Sequence, residues 1–499
     1  MKSESEKSDT FSKKTELDRT LGPLTLWGLG VGYVIGGEYF GWNLGLVAGG
    51  SLGMLVAFVI VTILYITFVF SYAEMACAVP RAGGVFDYTM LGLGKFWAYI
   101  SGMAQVVEFL FAPPALAMAV GSYLAPVIPA SLGLSPKILA VISLALVTVI
   151  NIKGVKQAAA FELVIAIVAS LGLILFACLV FPAFETQKFM ADSWPNGWLG
   201  VFQAVPFAIW FYLGIEGLAN VAEESRNPSK DIPRGFGAAM FTLILLAALV
   251  MLLSVGVAGW HGVVFHRADL QGSIETGWKV VDGAAKSDSP LTLALDFVEP
   301  AGSWGSMLFQ GMCLFGLVSS LNGLTLGSGR AILEMGRVQY LPSILGHVHR
   351  RNHTPANALV FNFIIGTIAL ILLDTAKLIT WSALGACMLY IFSIPALFGL
   401  RKKYPEMNRP FVTPFYPQMP TIAFLLSIFC FFAMIIGNLS EPGAFSSIFG
   451  YCTVVSEFAA FWFLVIISYF LFVRQISQPQ VSMVEEVTKS DKSNISPQV

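Results

Sequence analysis

Leu24-Thr25-Leu26-Trp27-Gly28-Leu29-Gly30-Val31-Gly32-Tyr33-Val34-Ile35-Gly36-Gly37-Glu38-Tyr39-Phe40-Gly41-Trp42-Asn43-Leu44-Gly45-Leu46-Val47-Ala48 is apolar along nearly its whole length, apart from a carboxylate near its middle. A helix needs about 20 apolar residues to cross the hydrocarbon core of a bilayer, so this run is long enough to span one. Its interruption is informative. Paired glycines beside a polar residue are where a helix unwinds at little cost. Unwinding frees N–H and C=O groups that lipid cannot satisfy. A charge at the bilayer centre costs about 2.5–3.5 kcal/mol on insertion scales, so Glu38 needs a reason to be there.

The rest of the chain repeats the first half of that pattern. It is 499 residues long, 56% hydrophobic and 12% charged, with a mean hydropathy of +0.75. A soluble protein of this size keeps roughly a quarter of its residues charged. Runs long enough to span fall at 24–48, 52–78, 96–125, 136–152, 157–182, 199–222, 236–260, 303–329, 355–373, 378–400, 420–439 and 449–473. None shows the period-2 alternation of a membrane barrel, so an all-α integral membrane fold of about twelve helices is expected.

Charge tests the count. With the N-terminus in the cytoplasm, only Lys137, Lys188, Arg267, Lys279, Lys286 and Lys377 of the 29 Lys and Arg residues fall outside. Any change of parity spoils this asymmetry, so the positive-inside rule supports both span number and orientation. Residues 1–20 and 475–499 are polar and read as disordered cytoplasmic tails, and no signal peptide precedes Leu21. The long connection from about 261 to 302 reads as a partly structured outer cap.

A net charge of -1 excludes a strongly basic nucleic-acid binder. The six cysteines sit singly in apolar runs with no CxxC pair, so neither a disulfide framework nor a metal site is expected. His347, His349 and His353 lie beside Arg350 and Arg351 and read as positively charged surface. No HExxH or P-loop pattern occurs, which argues against an enzyme, and no cofactor is expected.

Five glutamates lie well inside the predicted spans: Glu38, Glu108, Glu162, Glu216 and Glu457. The one-signed set suits a path for a cation or for protons. Glu216, in Gly214-Ile215-Glu216-Gly217, stands at a fraction of the sixth span similar to that of Glu38 in the first. Corresponding interruptions in two halves of a chain point to a solute site at a repeat interface. Glu162 and Glu457 read as structural. Pro113-Pro114 are expected to disturb the third helix near Glu108.

Four stretches together carry a resemblance. They are Tyr72-Ala73-Glu74-Met75-Ala76-Cys77-Ala78-Val79-Pro80-Arg81-Ala82-Gly83-Gly84-Val85-Phe86-Asp87-Tyr88; Asn151-Ile152-Lys153-Gly154-Val155-Lys156; Trp210 to Glu216 followed by Glu223-Glu224-Ser225-Arg226-Asn227-Pro228; and Leu321-Asn322-Gly323 through Arg330 to Leu341-Pro342. Over residues 20–400 the chain resembles the amino acid–polyamine–organocation transporters, and Gly32 to Asn43 look most like the bacterial ethanolamine permeases. The resemblance implies a leucine-transporter-like fold, with repeats at 24–182 and 199–400, then two helices at 420–473. It also implies alternating access in the inner membrane. The solute would be held by Ile35, Gly36, Gly37, Glu38 and Tyr39 on the first helix and Trp210, Phe211, Tyr212, Leu213 and Gly214 on the sixth. Glu108 on the third helix and Ser319, Ser320 and Leu324 on the eighth would flank it. Glu216 and Glu108 would serve proton coupling or gating. Residues 157–182 contain no lysine, so coupling through a fifth-helix lysine, known in some relatives, is not available.

Relatives that carry amino acids typically have a small residue where Glu38 stands. Against a substrate carboxylate at ~4 Å and an effective dielectric near 20, Glu38 would add about 4 kcal/mol of repulsion, nearly a thousandfold in affinity. An amine meets no such penalty, and an ammonium over Trp210, Phe211, Tyr212, Tyr39 or Phe40 gains roughly 0.5–2 kcal/mol of cation–π attraction. The sequence therefore predicts a permease for a small amine, ethanolamine above others, with proton coupling and exchange both open. An amino acid or polyamine permease is the nearest alternative, and a channel or membrane sensor a more distant one. The expected partners are the amine, the bilayer and possible coupling protons; oligomeric state is not legible.

Overall fold

The computed structural model describes residues 21–79, 83–154, 159–273, 277–300, 302–439, 441–443 and 452–476. The two predicted tails, apart from Gln475 and Ile476, lie outside these residues, as do Pro80 to Ala82 and Val155-Lys156 of the quoted stretches. Each of the twelve predicted runs forms a helix. Span 1 is Pro23–Val34 continued by the single turn Gly36–Tyr39; spans 2 to 5 are Leu46–Ala78, Lys95–Leu124, Pro136–Lys153 and Ala159–Val180. Span 6 is Gly197–Trp210 followed by the 3-10 turn Ile215–Glu224; spans 7 to 9 are Pro228–Val264, Trp304–Arg337 and Ala356–Leu372. Spans 10 to 12 are Thr375–Lys403, Gln418–Gly437 and Val454–Leu471.

Among the described residues ten helices are long and apolar enough to cross a membrane unaided. Two of the twelve runs miss that mark for physical reasons. Span 1 is cut short by its own break, and its far end at Trp42–Gly45 runs on into span 2; span 9 covers only Ala356–Leu372.

Helices that are apolar all round have no single face to bury and pack on several neighbours at once. Span 1 packs against spans 5, 7 and 8, while the unbroken part of span 6 packs against spans 2, 10 and 11. Close approach relies on small residues, as expected where lipid removes any hydrophobic drive between helices. Gly92, ending the short helix Val85–Gly92, lies directly against Gly399 of span 10. The outward faces of the bundle carry exposed Phe241, Leu245, Ile371 and Phe463, which suit a hydrocarbon surrounding.

Contrary to expectation, span 3 runs unbroken from Lys95 to Leu124 with Pro113 and Pro114 inside it. Both prolines are buried, and Pro114 packs against Gly366 of span 9. Neighbouring spans hold the helix together where its ladder loses two donors. The 261–302 connection is partly structured, as predicted. Span 7 turns at Gly259 (φ 67°), a hairpin joins Leu270–Ser273 to Gly277–Val280, and a helix covers Pro290–Leu295.

Two polar clusters fix the bundle at its ends. At the end of span 2, the buried Glu74 carboxylate accepts from Arg401 Nε and Nη2 at 2.8 and 2.7 Å. It also accepts from Thr413 N and Oγ1 at 2.8 and 2.6 Å. Arg401 lies over the Tyr416 ring at 3.6 Å. At the opposite end of span 2, beyond the first break, fully buried Asn43 donates to the Ser287 carbonyl at 2.9 Å. Ser287 N donates to Val264 O at 2.8 Å, and Thr375 Oγ1 donates to Asp288 at 2.9 Å. The 7–8 connection is thereby strapped to spans 7 and 10 and to the exit of span 1.

Candidate functional site

Both predicted interruptions exist. In span 1 the helix ends at Val34, resumes for one turn, and gives way to extended backbone at Phe40 and a left-handed Gly41 (φ 89°). In span 6 the α-ladder stops at Trp210 and shorter i to i+3 bonds follow, such as Tyr212 N to Ile209 O at 3.0 Å. Gly214 then adopts φ 98°, a conformation that favours glycine.

The span 1 break is not left open. Ser320 Oγ accepts from Gly36 N at 2.8 Å and donates to Gly32 O at 2.8 Å. These are the two backbone groups that would bond each other in an intact helix. A hydroxyl from span 8 is therefore spliced into the ladder, a recognised cause of helix deformation.

The two broken segments meet at Gly37 and Gly41. A side chain at Gly37 would strike the Trp210 carbonyl, and one at Gly41 would meet Trp210 Nε1 at 2.6 Å. Around this junction Phe40 lies edge-on to Trp210 with centroids 5.5 Å apart, and Trp42 stacks on Phe211 at 5.8 Å. Tyr212 donates to or accepts from Thr62 Oγ1 at 2.8 Å.

Two polar groups here have no hydrogen-bond partner among the described residues. One is the fully buried Glu38, through both carboxyl oxygens; the other is the indole N–H of Trp210. Buried polar groups are nearly always paired, so an acceptor and a donor left open on one junction call for an explanation.

The remaining predicted residues divide. Tyr39 is an anchor: its hydroxyl donates to Ala169 O at 2.6 Å, and its own carbonyl accepts from Tyr123 at 2.9 Å. Ser319 lies beside Gly32 and donates to Glu162 at 2.7 Å. Leu324 presses on Gly214, where an added Cβ would lie 2.7 Å from it. Ile35 and Leu213 are buried, Ile35 at the point where the span 1 helix is interrupted. Leu324 also lines a narrow cleft of about 10 Å³ with Tyr33, Phe109, Gly217, Gly323 and Arg330.

Glu108 of span 3 and Glu216 of span 6, both fully buried, bring their carboxyl groups into contact with each other. Tyr390 of span 10 donates to Glu216 at 3.3 Å, and Tyr65 of span 2 shares a 2.7 Å bond with Tyr390. Sequence reasoning had singled out neither tyrosine. Two facing carboxylates cannot both carry full charge in such a place, so the pair is suited to holding a proton.

Glu162 and Glu457, expected well inside their spans and read as structural, stand near the ends of their helices. Each lies in the first turn of its helix, where the helix dipole favours a carboxylate.

Comparison with known proteins agrees with this architecture. Residues 21–467 match the family model for amino acid permeases. An uncharacterised transporter of Rhizobium meliloti (strain 1021) is 29% identical, over 87% of this chain and 92% of its own. The branched-chain amino acid permease BcaP of Bacillus subtilis (strain 168) is 27% identical, over 94% of this chain and 96% of its own. The methylthioribose transporter of the same organism is 27% identical, over 83% and 87%. With a family match spanning nearly all of its helices, the chain belongs to the amino acid permease family and is a multi-pass membrane transporter of the amino acid–polyamine–organocation superfamily.

Proposed function

We propose that this transporter imports a small organic amine, with ethanolamine the best-fitting solute, by alternating access across the cell inner membrane. The observation that carries the reading is the unpartnered Glu38 carboxyl at the junction of the two broken helices. An uncompensated buried charge is costly, and a bound ammonium compensates it with a charge-assisted hydrogen bond. The solute's hydroxyl would accept from Trp210 Nε1, the other open group at that junction. The rings of Phe40, Trp42 and Phe211 pack at the same junction. Ser319 and Ser320, already engaged elsewhere, are less suited to that hydroxyl.

In this reading the repeats span 24–182 and 199–400, spans 11 and 12 flank them, and both termini face the cytoplasm, as the distribution of Lys and Arg favours. Glu216 and Glu108 would take up a coupling proton. A second reading, an amino acid permease, is favoured by the relatives named for branched-chain and cationic amino acids.

Uptake into proteoliposomes separates the two. Labelled ethanolamine should be taken up saturably and show counterflow, resisting competition by leucine and arginine. Glu38→Gln should lower that uptake ~10- to 100-fold, the worth of one hydrogen bond to a charge. Ethanolamine uptake unaffected by Glu38→Gln would sink the amine reading; leucine or arginine uptake in its place would establish the second.

A further inference from the structure

Glu162 of span 5 is tied to span 1 through a second helix, span 8. Its Oε2 accepts from Ser319 Oγ at 2.7 Å, and its Oε1 from Asn322 Nδ2 at 3.4 Å. Asn322 is in turn held by Asn151 Nδ2 of span 4 at 2.9 Å. The carboxylate lies against span 1 as well: a Cβ on Gly32 would be 3.4 Å from Glu162 Oε2 and 3.2 Å from Ser319 Oγ.

Ser319 and Ser320 are consecutive residues of one helix turn. Ser319 serves Glu162, while Ser320 splices the span 1 ladder between Gly32 and Gly36. The carboxylate and the splice are thus mechanically joined. Glu162 also accepts only from neutral groups. Charged side chains occur on the elements around it: Glu38 on span 1, Arg330 on span 8, Asp231 and Arg234 on span 7, and Lys153 on span 4. None of these forms an ion pair with it among the described residues.

We propose that Glu162, Ser319 and Asn322 form a proton-binding site that governs the splice in span 1, distinct from the Glu108–Glu216 pair. In the ionised state Glu162 holds Ser319 by a charge-assisted bond, roughly twice as strong as a neutral one. When a proton from solvent adds to one carboxylate oxygen, no other bond breaks and the group becomes a neutral acid. Its new O–H is then a donor facing Ser319, so the serine hydroxyl must either rotate to accept it or turn away, and the charge-assisted bond is lost either way. That loosens the turn carrying Ser320, frees Gly36 N and Gly32 O, and lets span 1 bend at its break. The cleft lined by Tyr33 and Leu324 beside this turn is where the bend would open the molecule. The inference rests on the transport reading only in assuming that span 1 moves.

The test needs no substrate. In purified full-length protein, a cysteine at Leu326→Cys in the cleft is labelled with N-ethylmaleimide from pH 5 to 8. Labelling is read by mass spectrometry against exposed Cys178 as internal reference. The ratio should change at least threefold across that range in otherwise wild-type protein. It should be flat in Glu162→Gln and regain its slope in Glu162→Asp. Infrared difference spectra over the same pH range should show a carboxylic acid band that Glu162→Gln lacks. An unchanged slope, or an unchanged infrared spectrum in Glu162→Gln, overturns the proposal. Flat labelling in both Glu162→Gln and Glu162→Asp overturns it too, since packing alone would then be at work. Failure of ethanolamine uptake leaves these readouts untouched and bears only on the solute.

Discussion

The hydroxyl of Ser320 lies 2.8 Å from the amide nitrogen of Gly36 and replaces the helical bond which that amide would otherwise make to Gly32. A break built this way is held by one side chain of another helix, so it can be tested by removing one oxygen atom. Ser320→Ala leaves two buried backbone groups unpaired, at a cost of about 1–3 kcal/mol each where nothing replaces the bond. The expected result is a lower thermal midpoint in detergent and slower uptake.

Contact between the two broken helices predicts a contrast between glycines. At Gly37 an added methyl group strikes the Trp210 carbonyl, which is backbone and cannot rotate aside; at Gly53 nothing lies nearer than 3.8 Å. Gly37→Ala should abolish uptake even where the protein remains folded by gel filtration. Gly53→Ala should leave uptake and thermal midpoint nearly unchanged.

The Glu74 cluster predicts a large effect far from the solute. Removing one partner of a buried charged pair costs about 3–5 kcal/mol because the other charge is stranded. Glu74→Ala should therefore strongly lower the thermal midpoint. Arg401→Lys should do so as well, since an ammonium cannot reproduce the two-pronged contact or the stacking on Tyr416.

Asp288 predicts a pH dependence in the strap. Burial pushes its carboxyl up to about 6 from an ordinary 3.8, opposed by the bond from Thr375. The folded strap therefore binds a proton more tightly than the released one. Strap stability should be greatest near pH 4, fall as pH rises through about 6, and level off above it. After division by the intrinsic exchange rate at each pH, amide protection over residues 286–290 should be lower at pH 7.5 than at pH 5, and Asp288→Asn should remove that difference.

Much of this architecture could be read from the chain because lipid imposes one rule on every segment. Long apolar runs have to become helices, and glycines beside a mid-run glutamate mark where a helix gives way. What the chain hides is whatever a side chain's direction decides. Ser319 and Ser320 are identical neighbours in the sequence, yet the turn of a helix sends one to span 5 and the other to span 1. The pairing of Glu108 with Glu216 and the approach of Tyr390 depend on contacts between distant segments, and no local pattern announces them. Pro113 and Pro114 misled for a related reason. A proline disturbs an isolated helix, but span 3 is clamped by its neighbours and stays straight enough to be continuous.

The strap between Asn43 and Ser287 also limits how widely the bundle can gape at that end. Because one short segment is moored to three helices at once, those helices cannot separate independently; the first mooring to fail releases the others.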